Sequence, residues 1–211
     1  MANRYQSNDL ILYIEALFVA AGMDADKSAI VAPLLVEADL MGHTTHGIAQ
    51  APAYLSGLEN GLMKGTGDPL VVADRGATIT WDGQRISGVW LTAKAIDLAV
   101  ERSKKYGTAT IAIRRSGHIA CLAAFLSRAT ENGCMIELAS SDPSIVSVAP
   151  YGGTKPAFTP NPIAVGIPTS DNPILIDISA SITTNGLTGR LFSEGKKLPG
   201  DWVQDLSLIH I

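Results

Sequence analysis

The chain has 211 residues and a net charge of −4, with 17% charged against 46% hydrophobic residues. An ordinary globular chain carries roughly 25% charge, so the thin charge points to surface buried in contacts, subunit contacts among them. The acidic balance, with no long basic stripe, excludes nucleic acid as the expected partner. No apolar run approaches the ~20 residues of a membrane span. The first residues have no signal-peptide architecture, so Cys121 and Cys134 read as free thiols of a cytoplasmic protein.

Apolar residues at helical spacing predict a first helix over 9–22, stopped by Gly22. Asp24 is the expected N-cap of a second helix reaching about Met41, with Ile30, Leu34 and Ala38 on one face and Pro33 as a kink point. A third helix contains Tyr54, Leu55 and Leu58. It starts either with Pro52 in its first turn or near Thr45, and in the second case His46, Gln50 and Tyr54 share a face at i, i+4, i+8. From about residue 68 the pattern changes. Strands are predicted over 69–73 and 77–81 around the turn Asp74-Arg75-Gly76, then a helix over 90–106 and a buried strand over 108–113. A helix over 120–132 and strands over 135–140, 163–167 and 174–178 follow. The sum is an α/β chain: a helical subdomain over 1–67 and a mixed-sheet domain over 68–205. Residues 206–211 resemble a translated sequencing-adapter end, and the expectation is that the protein itself continues past Asp205; an unusual natural tail is the alternative.

The chemistry concentrates in Gly42-His43-Thr44-Thr45-His46-Gly47, two imidazoles and two hydroxyls between apolar helices. Histidine exchanges a proton near neutral pH, and an adjacent hydroxyl can orient it or relay to it. His46 is the expected catalytic group, while His43 reads equally as structural or supporting. His118 lies at a strand-to-helix junction, where backbone N–H groups make an anion site. A metal site from His43, His46 and His118 is set aside, because the spacing is not that of helical zinc motifs and no carboxylate or cysteine stands close in sequence. No G-x-G-x-x-G follows a strand, so a nicotinamide cofactor would bind outside a Rossmann unit. The proline-rich stretch 149–162 either carries function or only stiffens a connection. Asp177, at a strand end, is either a ligand-site acid or a turn acid.

The histidine segment with Tyr54, then Ser116-Gly117-His118-Ile119, Pro150-Tyr151-Gly152-Gly153, Asn161-Pro162-Ile163-Ala164 and Ile176-Asp177-Ile178-Ser179, in this order, resembles the malate/L-lactate dehydrogenase family that lacks a Rossmann domain. The resemblance implies a non-Rossmann fold that binds NAD or NADP and interconverts a 2-oxo acid and a 2-hydroxy acid. It implies His46 as proton donor and acceptor, with Thr45 in its relay. It places the cofactor against His118, Ile119, Ala120, Cys121 and Leu122 and against Asp177, Ile178 and Ser179. Gln50, Tyr54, Pro160, Asn185 and Gly186 fall beside the substrate. No metal is implied, and family members are usually dimers, so the full-length protein is expected to be a homodimer.

Three positions depart from the family pattern. Gln50 replaces an arginine that pairs with the substrate carboxylate, which removes a charge-assisted bidentate contact. Pro160 replaces a threonine, and Leu187 stands where a charged relay residue is common. A bulkier or differently anchored hydroxy acid is therefore expected as substrate. Since the family chain is longer, these 211 residues are expected to bind cofactor weakly alone. The rivals are a non-catalytic ligand-binding or interaction module on the same scaffold, and a metal-dependent lyase or hydrolase using the histidines.

Overall fold

The structure, a computed structural model, describes residues 4–200 and 202. The adapter-like stretch 206–211 lies outside the described residues. Helix α1 (Ser7–Ala20) ends where Gly22 takes a φ of +93°, a conformation that favours glycine. Helix α2 (Ala25–Leu40) follows Asp24, whose carboxylate accepts from Lys27 Nζ at 2.8 Å instead of capping a backbone N–H. The helix runs through Pro33. The carbonyl that Pro33 leaves without a donor belongs to Ala29, which is exposed, so water can serve it.

Past α2, Gly42 (φ +88°) turns the chain, and residues 43–47 form a loop leading into a 3-10 turn, Ile48–Gln50, and helix α3 (Ala51–Glu59). Pro52 therefore sits in the first turn of its helix, where its missing N–H costs nothing. His46 lies outside that helix and does not share a helical face with Gln50 and Tyr54. The Asp39 carboxylate helps decide this, accepting the Ile48 N–H at 2.8 Å.

Strands β1 (Leu70–Asp74) and β2 (Thr78–Asp82) pair antiparallel, and β2 pairs parallel with β3 (Thr110–Arg114) across helix α4 (Gly88–Tyr106). The expected burial of β3 is corrected: its residues alternate between half-buried and exposed, because only one face packs inward. The helix expected over 120–132 is also corrected. It is a 3-10 turn, Ala123–Phe125, followed by the short helix α5 (Ser127–Thr130). Leu122, Phe125, Leu126 and Ala129 are buried, so the apolar spacing is real. Ala120 at a φ of +56° keeps the segment before the turn out of a right-handed helix.

A second sheet joins β4 (Ile136–Ala139), β5 (Ile163–Ile167) and β6 (Ile174–Ile178), all antiparallel. In β6, Leu175 and Asp177 face inward while Ile174, Ile176 and Ile178 are exposed. Helix α6 (Asn185–Ser193) closes the order, its first turn capped by Thr184 Oγ1 accepting from Leu187 N at 3.1 Å. One core spans the helices and the second sheet, with Phe18, Leu35 and Phe125 completely enclosed. Enclosing side chains of that size contributes roughly 1.5–3 kcal/mol each. Among the described residues, no helix is long and apolar enough to cross a membrane.

Two contacts hold the His118 loop on this frame. A Cβ on Gly88 would run into the Gly117 carbonyl, so only glycine lets α4 start against that loop. Asp82, enclosed at the end of β2, accepts from Arg115 Nε at 2.8 Å and Nη2 at 2.6 Å in a bidentate pair.

Candidate active site

His46 leaves the histidine loop half-buried, its backbone N–H bonded to the His43 carbonyl at 2.8 Å. Its Nδ1 lies 2.9 Å from Thr45 Oγ1. A hydroxyl both donates and accepts, so Thr45 can hold the ring in its neutral and its protonated form. Gln50 Nε2 donates to the Thr45 carbonyl at 2.6 Å, fixing the backbone under that pair. The ring of His118 stacks near that of His46, with centroids 5.9 Å apart and planes at 30°. Tyr54, buried in α3, places its hydroxyl 2.8 Å from His118 Nδ1. Three chain segments thus meet at two imidazoles.

Burial holds the His46 pKa below 6.5; the carboxylate of Asp177 raises it and the His43 imidazole lowers it further. Burial of its inner face, with His46 beside it, pushes His118 down to about 4, although its outer edge is exposed to solvent. Tyr54 is pushed up by burial, so its hydroxyl stays protonated.

The anion site expected at the junction after His118 is occupied from within: Asp177 Oδ2 accepts the Ala123 N–H at 2.9 Å. That bond anchors the loop of residues 118–122 to the end of β6. Cys121 Sγ points to the same oxygen at 3.7 Å, and burial raises its thiol to about 11. Ile119 packs on the core and Leu122 is inside it. Ile178 is exposed, whereas Ser179 Oγ donates to the Ser181 carbonyl at 3.0 Å. The Pro160 carbonyl accepts from Ala180 N at 2.7 Å. Asn185 donates to Ser147 Oγ at 3.1 Å, and Gly186 packs on Thr45, where a Cβ would stand 3.3 Å from the threonine Cβ.

A cavity of about 380 Å³ opens beside the end of β6, lined by Ala139, Ser140, Ser141, Asn161, Pro162 and Ile163. Within this region Asn161 Oδ1 is buried without a partner, as is Thr183 Oγ1 in the loop before α6. Buried polar atoms are nearly always paired, so these two fit a polar ligand that supplies the missing bonds.

Two functional candidates escaped the sequence. Asp39 stands in the last turn of α2, where the helix dipole disfavours an acid; that misfit was the available signal. Arg190, in α6, donates from Nη1 to Thr44 Oγ1 at 2.9 Å. Nothing in a sequence links residues 146 positions apart.

A family model described as malate/L-lactate dehydrogenase matches residues 5–207. The L-sulfolactate dehydrogenase of Methanothermobacter thermautotrophicus is 27% identical over 197 residues, which are 93% of this chain and 57% of that protein. The delta(1)-pyrroline-2-carboxylate/delta(1)-piperideine-2-carboxylate reductase of Pseudomonas syringae pv. tomato is 30% identical over 191 residues, covering 90% of this chain and 55% of the relative. Among solved structures, a dehydrogenase from Sinorhizobium meliloti superposes with a TM-score of 0.88 at 30% identity, over 98% of this chain and 60% of the other. The chain spans a little over half the length of the curated relatives it matches. With its mixed α/β fold and its two-histidine site, the chain belongs to the malate/L-lactate dehydrogenase family.

Proposed function

We propose that the protein transfers a hydride between NAD(P)H and a 2-oxo acid, giving the 2-hydroxy acid, with His46 as the proton donor and, in reverse, the acceptor. The observation that carries the reading is the 2.9 Å contact of Thr45 Oγ1 with His46 Nδ1. It holds one ring nitrogen and leaves the other for substrate. When bound, the nicotinamide supplies the hydride. The loop of residues 118–122, the strand end at Asp177 and the partnerless Asn161 and Thr183 are the residues that would hold it. His46 gives its proton to the carbonyl oxygen as the carbon is reduced, so no free alkoxide forms.

Arg190 supports an anionic substrate. The charge that Gln50 does not bring at its position is delivered by this guanidinium beside Thr44. An anchor reaching in from α6 fits a differently held hydroxy acid. The proposal includes a cytoplasmic homodimer, in line with the thin charge and the two free thiols.

The test is turnover across a panel of 2-oxo acids with NADH and NADPH, for the full-length wild type and its His46→Ala variant. Loss of a positioned general acid removes roughly 10²–10⁴-fold, with cofactor binding retained. Undiminished turnover in His46→Ala overturns the assignment of His46. A wild type inactive on every acid, yet binding cofactor, favours the non-catalytic module, and inactivation by a chelator favours the metal-dependent rival.

A further inference from the structure

We propose that His43, Cys121 and Asp177 form a binding site for a divalent cation of the zinc type, and that filling it inhibits the enzyme. The three come from separate elements: the loop after α2, the loop before the 3-10 turn at Ala123 and the end of β6. One donor atom of each lies within 4.8 Å of the other two. Around a tetrahedral zinc with bonds of about 2.0–2.3 Å, such donors sit about 3.5 Å apart. Closing the site therefore takes side-chain shifts of about an ångström and leaves the fold in place.

The donor set chooses the ion. One nitrogen, one sulfur and one oxygen do not suit magnesium or calcium, which take oxygen ligands, and do suit zinc. On binding, Cys121 releases its proton to solvent and coordinates as thiolate. Thiolate and carboxylate then balance the two charges of the ion, while His43 binds as neutral imidazole, and no electron changes hands. Cys121 is 3% exposed and already directed at Asp177, whose Oδ2 is oriented by the Ala123 N–H. That N–H on the ligating carboxylate is the outer support that metal ligands need. Cys134, the other thiol, has Ser103 Oγ and the Asn132 carbonyl as its hydrogen-bond partners among the described residues.

Three protein ligands leave a fourth position open, at a place that the hydride-transfer reading gives to the cofactor. The same ion would pull on the loop that carries His46, whose backbone N–H is bonded to the His43 carbonyl. Binding is independent of the dehydrogenase reading; inhibition rests on it.

The experiment is equilibrium dialysis of the purified chain against Zn²⁺, with Co²⁺ as an absorbing substitute. The expected result is one equivalent of metal and a thiolate-to-cobalt charge-transfer band in the near ultraviolet. Cys121→Ser abolishes the band. His43→Asn, which keeps the thiol and lies in a surface loop, weakens Zn²⁺ binding roughly tenfold or more. Cys134→Ser changes neither, and circular dichroism checks that each variant is folded. No stoichiometric binding, a band that survives Cys121→Ser, or unweakened binding in His43→Asn overturns the site. In turnover assays, Zn²⁺ inhibits the wild type and inhibits His43→Asn at least several-fold less; binding without inhibition overturns the inhibitory half. A full-length protein that binds the metal but never turns over counts against the dehydrogenase reading and leaves the site standing.

Discussion

The Tyr54 hydroxyl lies 2.8 Å from His118 Nδ1, and the Ala120 N–H reaches the same nitrogen at 3.3 Å. A backbone N–H can only donate, so this network assigns Nδ1 as the acceptor and puts the proton of the neutral ring on Nε2. Helix α3 and the loop after β3 are thereby joined at the ring that stacks on His46.

Tyr54→Phe keeps the ring that packs against Phe18 and removes the donor. A lost hydrogen bond of this kind costs about 1 kcal/mol of stability. The hydroxyl stabilises the neutral imidazole, so its removal moves the His118 midpoint upward from about 4, while burial and His46 still hold it below 6.5. Titration of the His118 ring by NMR measures this. An unmoved midpoint would show that the hydroxyl does not donate to Nδ1.

The pH dependence follows from His46, whose folded pKa lies below 6.5. Under the proposed function, reduction of the oxo acid needs the imidazolium, so its kcat/KM is expected to rise as pH falls through that pKa. Oxidation of the hydroxy acid needs the neutral ring and is at full rate above pH 6.5. Asp177 raises the His46 pKa, so Asp177→Asn shifts the reductive limb to lower pH. A profile governed by a histidine titrating above 6.5 would contradict the assignment. Both histidines are depressed on folding, so between their folded values and 6.5 the unfolded chain binds more protons. Stability is accordingly lost as pH falls from about 6.5 toward 4.

Gly47→Ala tests the support under the loop. A Cβ there would run into the Asp39 carboxylate, which accepts the Ile48 N–H at 2.8 Å. Forcing an extra carbon into an occupied space costs roughly 1–3 kcal/mol. Denaturant unfolding reads the loss, and the double variant Asp39→Ala, Gly47→Ala recovers part of it. Additive effects in the double variant would show that the two positions do not compete for space.

Arg190→Ala tests the substrate anchor. Hydrogen bonds to a charged group contribute roughly 1.5–3 kcal/mol, so KM for an anionic oxo acid rises about 10–100-fold while kcat changes little. Gln50→Ala acts differently, because its amide holds the Thr45 carbonyl at 2.6 Å; its effect is expected mainly in kcat. Steady-state kinetics separates the two patterns. An unchanged KM in Arg190→Ala removes the arginine from substrate binding.

Much of the fold was readable from apolar spacing, because helices and strands bury one face each and the periods differ. Helices α1 and α2 and strands β4, β5 and β6 fall within about two residues of the expected ranges. The segment after His118 was not readable. Its apolar residues are spaced as in a helix, but Ala120 is held at positive φ, and the Ala123 N–H is taken by an acid 54 residues away. Local spacing carries no record of such a distant acceptor.

The amino acids alone specify the chemistry available: a hydroxyl beside an imidazole in Thr45-His46, glycines that turn the loop, and the family to which the pattern belongs. Thr45 and His46 are neighbours in the chain, so their contact needs no fold to bring them together. What surrounds them is set by folding. It stacked His118 on His46, brought Arg190 to Thr44 and placed Asp177 where its charge opposes the desolvation of His46. Those relationships depend on distance and burial between segments far apart in the chain, quantities that exist only after the shared core has closed.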